Sequence, residues 1–222
     1  MKLNLPHKLP DPPLLVVTDR RQARRPLADV IEAALAGGCR WISLREKDLP
    51  ADEQIRSARA LLPMVQRYGA VLTLHGDSAL AKLSGVDGVH LPAGINAAAG
   101  RADIGAEKLL GVSIHTAAEA QAIDPAIVDY ALAGPAFETA SKPGYGPAIG
   151  RMGLAEIAAA AAVPTLAIGG IDSARVGDLV AAGAAGVAVM GGVMRAADPA
   201  QEVRALVAAL AGALARRARD TC

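Results

Sequence analysis

Two apolar stretches in the last third of the chain, each running into paired glycines, constrain the fold more than anything else in it. Val163-Pro164-Thr165-Leu166-Ala167-Ile168 leads into Gly169-Gly170-Ile171. One strand-and-helix repeat later, Ala185-Gly186-Val187-Ala188-Val189-Met190 leads into Gly191-Gly192. Neither stretch shows the polar alternation of a strand with one wet face, so both read as strands buried on both faces of a parallel sheet. Paired glycines at a strand's carboxyl end let two backbone N–H groups approach an anion without side-chain interference. They also make a plain tight turn, and a single pair says no more than that. Two in tandem near the end of the chain have the arrangement of the phosphate cup after the seventh and eighth strands of a (β/α)8 barrel. Asp172 or Ser173 stands ready to cap the helix after the first pair.

The length of 222 residues suits one TIM-barrel domain over 14–222, preceded by an arm over 1–13. Pro10, Pro12 and Pro13 forbid a regular helix in that arm. Aromatic residues make up only 2%, so Ala, Val, Leu and Ile must build the core. A net charge of +1 gives no field for nucleic acid or an anionic membrane, and one Phe with one Trp makes no base-stacking platform. Cys39 and Cys222 are too far apart to suggest a disulfide framework and fit a reducing compartment. The first residues hold no apolar signal core. The apolar run Ala205 to Ala215 is too short to span a bilayer and reads as a docking helix. Together these features predict a soluble cytoplasmic protein. An apolar outer helix or the arm leaves room for a homo-oligomer.

Taken in order, Leu14 to Thr18, Trp41 to Leu44, Ala70 to Leu74, Gly88 to Leu91, Leu109 to Val112 and Tyr130 to Ala133 read as the first six strands. Pro26 opens a helix to about Ala36 that Gly37-Gly38 closes. Ile55, Ala58, Leu62 and Val65 give an amphipathic face to a helix from about Ala51 to Tyr68. Eight strands alternating with helices mean a closed barrel or a doubly wound sheet, and the glycine-ended last pair favours the barrel.

The active face of a barrel collects the residues just past the end of each strand. After strand two stand Arg45, Glu46 and Lys47. Alternation sends 45 and 47 the same way, as two cations for the mouth or as part of a solvated triplet. After strand three come His75-Gly76-Asp77, and after strand five Ser113-Ile114-His115-Thr116. A histidine in either place suits acid–base work, or is structural. His90 reads as a core or rim residue and His7 as part of the arm. The loop after strand six, Gly134 to Gly146, offers Thr139, Ser141 and Lys142 among glycines, as an anion-binding lid or a flexible connection. No Cys/His spacing, acid pair or Walker loop marks a metal or nucleotide site.

Leu44-Arg45-Glu46-Lys47, Gly111-Val112-Ser113-Ile114-His115, Gly134-Pro135-Ala136-Phe137-Glu138-Thr139-Ala140-Ser141-Lys142 and Ala167-Ile168-Gly169-Gly170-Ile171 fall in the order seen in the thiamine-phosphate synthase superfamily. The resemblance covers about Leu14 to Pro199. It implies a (β/α)8 barrel and one of two branches, thiamine-phosphate synthase or TenI-type thiazole tautomerase. By the resemblance, Arg45, Lys47, Ser113 and Lys142 match residues that hold a pyrimidine pyrophosphate. Thr139 to Ser141, Gly170 and the Met190-Gly191 turn match residues around a thiazole phosphate.

Synthases carry Asn-Asp-Arg after strand three and Gly-Gln-x-Asp after strand four, and both aspartates ligate Mg²⁺. Here His75-Gly76-Asp77 and Pro92-Ala93-Gly94-Ile95 stand instead, with Asp77 one residue late. Mg²⁺ prefers carboxylate oxygens, so this departure points to the tautomerase branch without metal or cofactor. The expectation is an isomerase that aromatises a carboxythiazole phosphate. His115 would shuttle the proton, Gly169, Gly170, Met190, Gly191 and Gly192 would hold the phosphate with Thr139 and Ser141, and Arg45 and Lys142 the carboxylate. His75 is a further carboxylate contact. The alternatives are a synthase with an atypical Mg²⁺ site and a non-catalytic binder of thiamine precursors.

Overall fold

The computed structural model describes residues 9–139 and 147–220, and in it strands and helices alternate from end to end. The first half comprises β1 (Leu14–Val17), α1 (Leu27–Ala36), β2 (Trp41–Leu44), α2 (Ala51–Arg67), β3 (Val71–His75), α3 (Ser78–Ser84), β4 (Gly88–Leu91) and α4 (Ala97–Ile104). The second comprises β5 (Leu109–Ile114), α5 (Ala117–Gln121), β6 (Tyr130–Ala133), α6 (Gly150–Ala160), β7 (Thr165–Ile168), α7 (Val176–Ala181), β8 (Gly186–Val189), α8 (Gly191–Met194) and α9 (Pro199–Asp220). Each strand pairs in parallel with the next, and β8 returns to β1 with Leu14 opposite Val187 and Val16 opposite Val189. The sheet is therefore a closed (β/α)8 barrel, not a doubly wound sheet. Val187 N donates to Pro13 O at 3.1 Å, so the end of the arm takes part in the closure.

Strand alternation divides the core into two shells. Leu14, Val16, Ile42, Leu44, Leu72 and Leu74 pack outward under the helices. Leu15, Val17, Trp41, Tyr130, Leu132, Leu166 and Ala188 pack together inside the barrel. On the helices, α2 buries Ala58, Leu61 and Val65, one turn-spaced stripe. α9 extends well beyond the apolar run at its centre and docks Val203, Leu206, Leu210 and Ala213 against the layer of α1 and α7. No helix of the described residues is long and apolar enough to cross a membrane.

Three boundaries differ from the sequence expectation, and each matters at the mouth. β3 extends to His75 and β5 to Ile114, so His75 and Ser113 are strand residues whose direction the sheet sets. α7 begins only at Val176, without a side-chain cap. Asp172 instead accepts from Arg175 N at 3.1 Å and braces the turn ahead of the helix, which corrects its expected role as a cap.

Inside the barrel, β5 and β6 fit together because Gly111 has no side chain. A Cβ there would lie 2.1 Å from Tyr130 Cζ, in the middle of a ring that is itself fully buried. Gly111→Ala is expected to lower the unfolding free energy by about 1–3 kcal/mol through overpacking, read as a fall in the urea midpoint at unchanged slope.

Candidate active site

At the carboxyl ends of the strands lies a cavity of about 310 Å³. Its wall takes a residue from every strand or following loop: Val17, Arg45 and Lys47, His75, Pro92 and Ala93, Ser113 and His115, Leu132, Gly134 and Pro135, Ile168 to Asp172, and Ala188 to Gly192. Glu138, Thr139 and Arg195 complete it. Of the residues singled out in the sequence, Arg45, Lys47, His75, Ser113, His115, Thr139, Gly169, Gly170, Met190, Gly191 and Gly192 meet in this one space. Ser141 and Lys142 lie outside the described residues.

The cationic side is built on Thr18 and Glu46. Thr18 Oγ1 accepts from Arg45 N at 2.9 Å and donates to Glu46 Oε1 at 2.6 Å. The Glu46 carboxylate also accepts from Arg20 N at 3.0 Å, and Asp48 holds the Arg20 guanidinium through contacts of 2.7 Å. Glu46 is only 3% exposed, and burial pushes its carboxyl up against the opposing pull of Thr18 and Arg20. This strap fixes the backbone so that 45 and 47 face the cavity while 46 turns away. Arg45 Nε is buried with no hydrogen-bond partner among the described residues, a donor available to an anionic ligand. Lys47 titrates below an ordinary lysine because it is partly desolvated and stands beside Arg45.

After β7 and β8, the glycine pairs shape a second part of the wall. Gly169 and Gly170 have φ of +106° and +64°, conformations that other residues rarely adopt. A Cβ on Gly170 would stand 2.5 Å from Glu138 O, so glycine is also what lets the β6 and β7 loops touch. Arg175 donates to Gly170 O and lies 4.7 Å over the Phe137 ring, which fixes that contact from outside. Gly191 and Gly192 form the first turn of α8, where backbone N–H groups have no intrahelical acceptor. A Cβ on Gly192 would meet nothing closer than 3.7 Å, so its glycine serves openness to the cavity and not packing.

Between the two sides, His115 Nδ1 lies 2.6 Å from Gly134 O, which puts the hydrogen on Nδ1. Thr116 and Glu119 cap α5 reciprocally and pin the His115 backbone, with His115 N donating to Glu119 Oε2 at 2.5 Å. Ser113 Oγ lies 2.9 Å from Nε2 of His90, a residue placed in the sequence only as core or rim. Glu46, Thr18 and His90 are the groups that sequence reasoning passed over. An acid between two mouth-facing cations must point the other way, and that was the available signal for Glu46.

Mg²⁺ is the metal that the family resemblance implies, beside β3 and β4. Asp77, the carboxylate after β3, is committed to capping α3, accepting from Ala79 N at 2.7 Å and Leu80 N at 3.2 Å. After β4 the cavity wall is Pro92 and Ala93, which offer no side-chain oxygen. Among the described residues, no group of three or more His, Cys, Asp or Glu is placed to hold a metal ion. The residues present on this side do not fit a carboxylate-held Mg²⁺.

Comparison with known proteins bears on the branch. The family described as thiamine monophosphate synthase matches residues 14–193. A thiamine-phosphate synthase of Roseiflexus sp. (strain RS-1) is 44% identical over 206 residues, covering 92% of this chain and 87% of its own. A putative thiamine-phosphate synthase of Geobacter sulfurreducens is 41% identical over 199 residues, 89% of this chain and 93% of the relative. Thiamine phosphate pyrophosphorylase from Pyrococcus furiosus superposes with a TM-score of 0.82 at 28% identity, over 95% of this chain and all of that one. These names overturn the tautomerase expectation and favour the synthase alternative.

Affinity for inorganic pyrophosphate, measured by calorimetry, should fall as pH rises through the lowered Lys47 range, because binding there requires taking up a proton. Lys47→Arg should hold its affinity over the same range. Asp77→Asn, which keeps a good N-cap, should leave the Mg²⁺ dependence of any turnover unchanged, and a shifted dependence would place Asp77 on a metal.

Proposed function

This chain belongs to the thiamine monophosphate synthase family, and we propose that it is a transferase of thiamine biosynthesis that joins a pyrimidine pyrophosphate to a thiazole phosphate. One observation carries the reading: a single cavity is lined both by two cations after β2, Arg45 with Lys47, and by glycine turns after β7 and β8, Gly169-Gly170 with Gly191-Gly192. Two anion sites across one space suit two phosphorylated substrates held with their reacting ends together. An isomerase acting on one phosphate would need only one of them.

In this reading the thiazole ring nitrogen attacks the methylene carbon of the pyrimidine. The bond from that carbon to the pyrophosphate oxygen breaks, and the products are thiamine phosphate and pyrophosphate. The electron pair leaves with the pyrophosphate, so the charge that grows in the transition state grows on its oxygens. Arg45 and Lys47 stand where they meet it, held by the Thr18–Glu46 strap. The glycine side binds the thiazole phosphate through backbone N–H groups and orients the nucleophile. No proton is transferred at the substituted carbon. His115, pinned by Gly134 and Glu119, is therefore a wall and hydrogen-bonding group between the two substrates.

The direct test is purified protein with both substrates, following thiamine phosphate and released pyrophosphate with and without Mg²⁺. Stoichiometric formation of both is expected, and neither product under any condition would overturn the reading. Arg45→Ala should raise KM for the pyrimidine substrate by about tenfold or more and leave the thiazole phosphate KM nearly unchanged. Gly192→Ala, for which the fold has room, should do the reverse.

A further inference from the structure

The glycine turns after β7 and β8 offer an anion backbone N–H groups, and α8 is only four residues long, so its dipole adds little to them. A phosphate monoester carries about −1.5 to −2 charge at neutral pH. Among the described residues that line the cavity, the arginines and lysines are Arg45 and Lys47 after β2 and Arg195 after β8. The first two are engaged with the pyrophosphate in the reading above. Arg195 directly follows α8, its N donating to Gly191 O at 3.0 Å, so its side chain leaves the same short segment that carries Gly191-Gly192.

The loop between β1 and α1 sets where that side chain lies. Arg195 Nη1 donates to Gln22 Oε1, and Gln22 Nε2 donates to Asp19 Oδ2 at 2.6 Å. A guanidinium only donates and a carboxylate only accepts, so the Gln22 amide between them has one allowed orientation. Its neutral oxygen directs the guanidinium without cancelling the charge, as a carboxylate in the same place would. Asp19 is set in turn by Arg21 N, which donates to Oδ1 at 3.1 Å. The loop is fastened to the segment after β8, because Arg24 N donates to Met194 O at 3.2 Å and the Arg25 guanidinium donates to Ala197 O. Its other end carries Arg20, whose N holds Glu46. One short loop therefore braces Arg195 and the strap behind Arg45 and Lys47 alike.

We propose that Arg195 binds the phosphate of the thiazole substrate as its charged side-chain contact, and that Gln22 is the positioning residue that aims it. The glycine turns then supply shape and hydrogen bonds, and Arg195 supplies the preference for the phosphate over the unphosphorylated thiazole alcohol. The identity of the ligand rests on the transferase reading; the string from Asp19 through Gln22 to Arg195 does not.

Calorimetric binding of the thiazole phosphate and of its alcohol to the full chain reads the proposal without turnover. Arg195 is exposed at the rim, so its replacement leaves the core untouched. Arg195→Gln should lower affinity for the phosphate about tenfold and leave affinity for the alcohol unchanged. Gln22→Glu keeps an acceptor for the guanidinium but sets a negative charge beside it, and should weaken phosphate binding as far as Arg195→Gln does. Gln22→Leu should cost about threefold alone and almost nothing in the Arg195→Gln background. In turnover, Arg195→Gln should raise KM for the thiazole phosphate and leave KM for the pyrimidine substrate nearly unchanged. Unchanged phosphate affinity in Arg195→Gln, equal loss for phosphate and alcohol, or a rise confined to the pyrimidine KM overturns the proposal while the transferase reading stands. No preference for the phosphate in the unaltered protein overturns it too. Absence of thiamine phosphate formation by the unaltered protein overturns the transferase reading instead, and the two affinities still decide the role of Arg195.

Discussion

The pairing of β8 with β1 is the contact on which the rest of the molecule depends. In an open sheet of the same strands in sequence order, Arg45 and Lys47 after β2 would sit near one edge and Gly191-Gly192 after β8 at the other. Closure leaves only β1 between them, so both line one cavity. It also gives every strand two neighbours, so no row of backbone groups is left unpaired at an edge. The strands can then be wholly buried on both faces, which is why they contain so few polar residues and why the loops carry the chemistry.

The barrel interior is not uniform, and its division matches that of the mouth. Leu15, Val17, Leu132, Leu166 and Ala188 make a dry, small-volume packing. It lies toward β7 and β8, under the glycine turns. Toward β3, β4 and β6 the inside carries Thr73, His90 and Tyr130, all fully buried. Burying such groups is costly unless each has a partner. A satisfied string, by contrast, has few alternative arrangements.

Much of this was legible in the chain. Glycine-ended strands in tandem gave away the barrel, because only a parallel sheet buried on both faces tolerates unpatterned apolar strands in such number. The side chains of the mouth followed from strand ends alone, and Arg45, Lys47, Ser113 and His115 lie where that rule puts them. Glu46 was harder, since its partners Thr18 and Arg20 come from a different strand end and no local pattern announces them. His90 and Tyr130 are 40 residues apart and become neighbours only through the register of β4, β5 and β6. Asp172 was misplaced for a related reason. An acid after a Gly-Gly turn looks like a helix cap whether the helix starts at once or, as here, at Val176.

The branch assignment failed at a more instructive point. Equating the loss of two carboxylates with the loss of the reaction treats the metal site and the bond-forming site as one thing. They are physically separable. What makes a pyrophosphate leave is positive charge on its oxygens, and a guanidinium and an ammonium supply that kind of charge as a divalent ion does. What would make two substrates join in the proposed reaction is a pair of anion sites that hold them end to end, and the cations and glycine turns proposed for that role line one cavity. The cations and glycine turns of the mouth therefore bear more on the proposed reaction class than the side chains that line one corner of it. The burial of Glu46 beside Arg45 and Lys47 agrees with this. The fold bears the cost of a desolvated carboxylate to keep two cations aimed at one place.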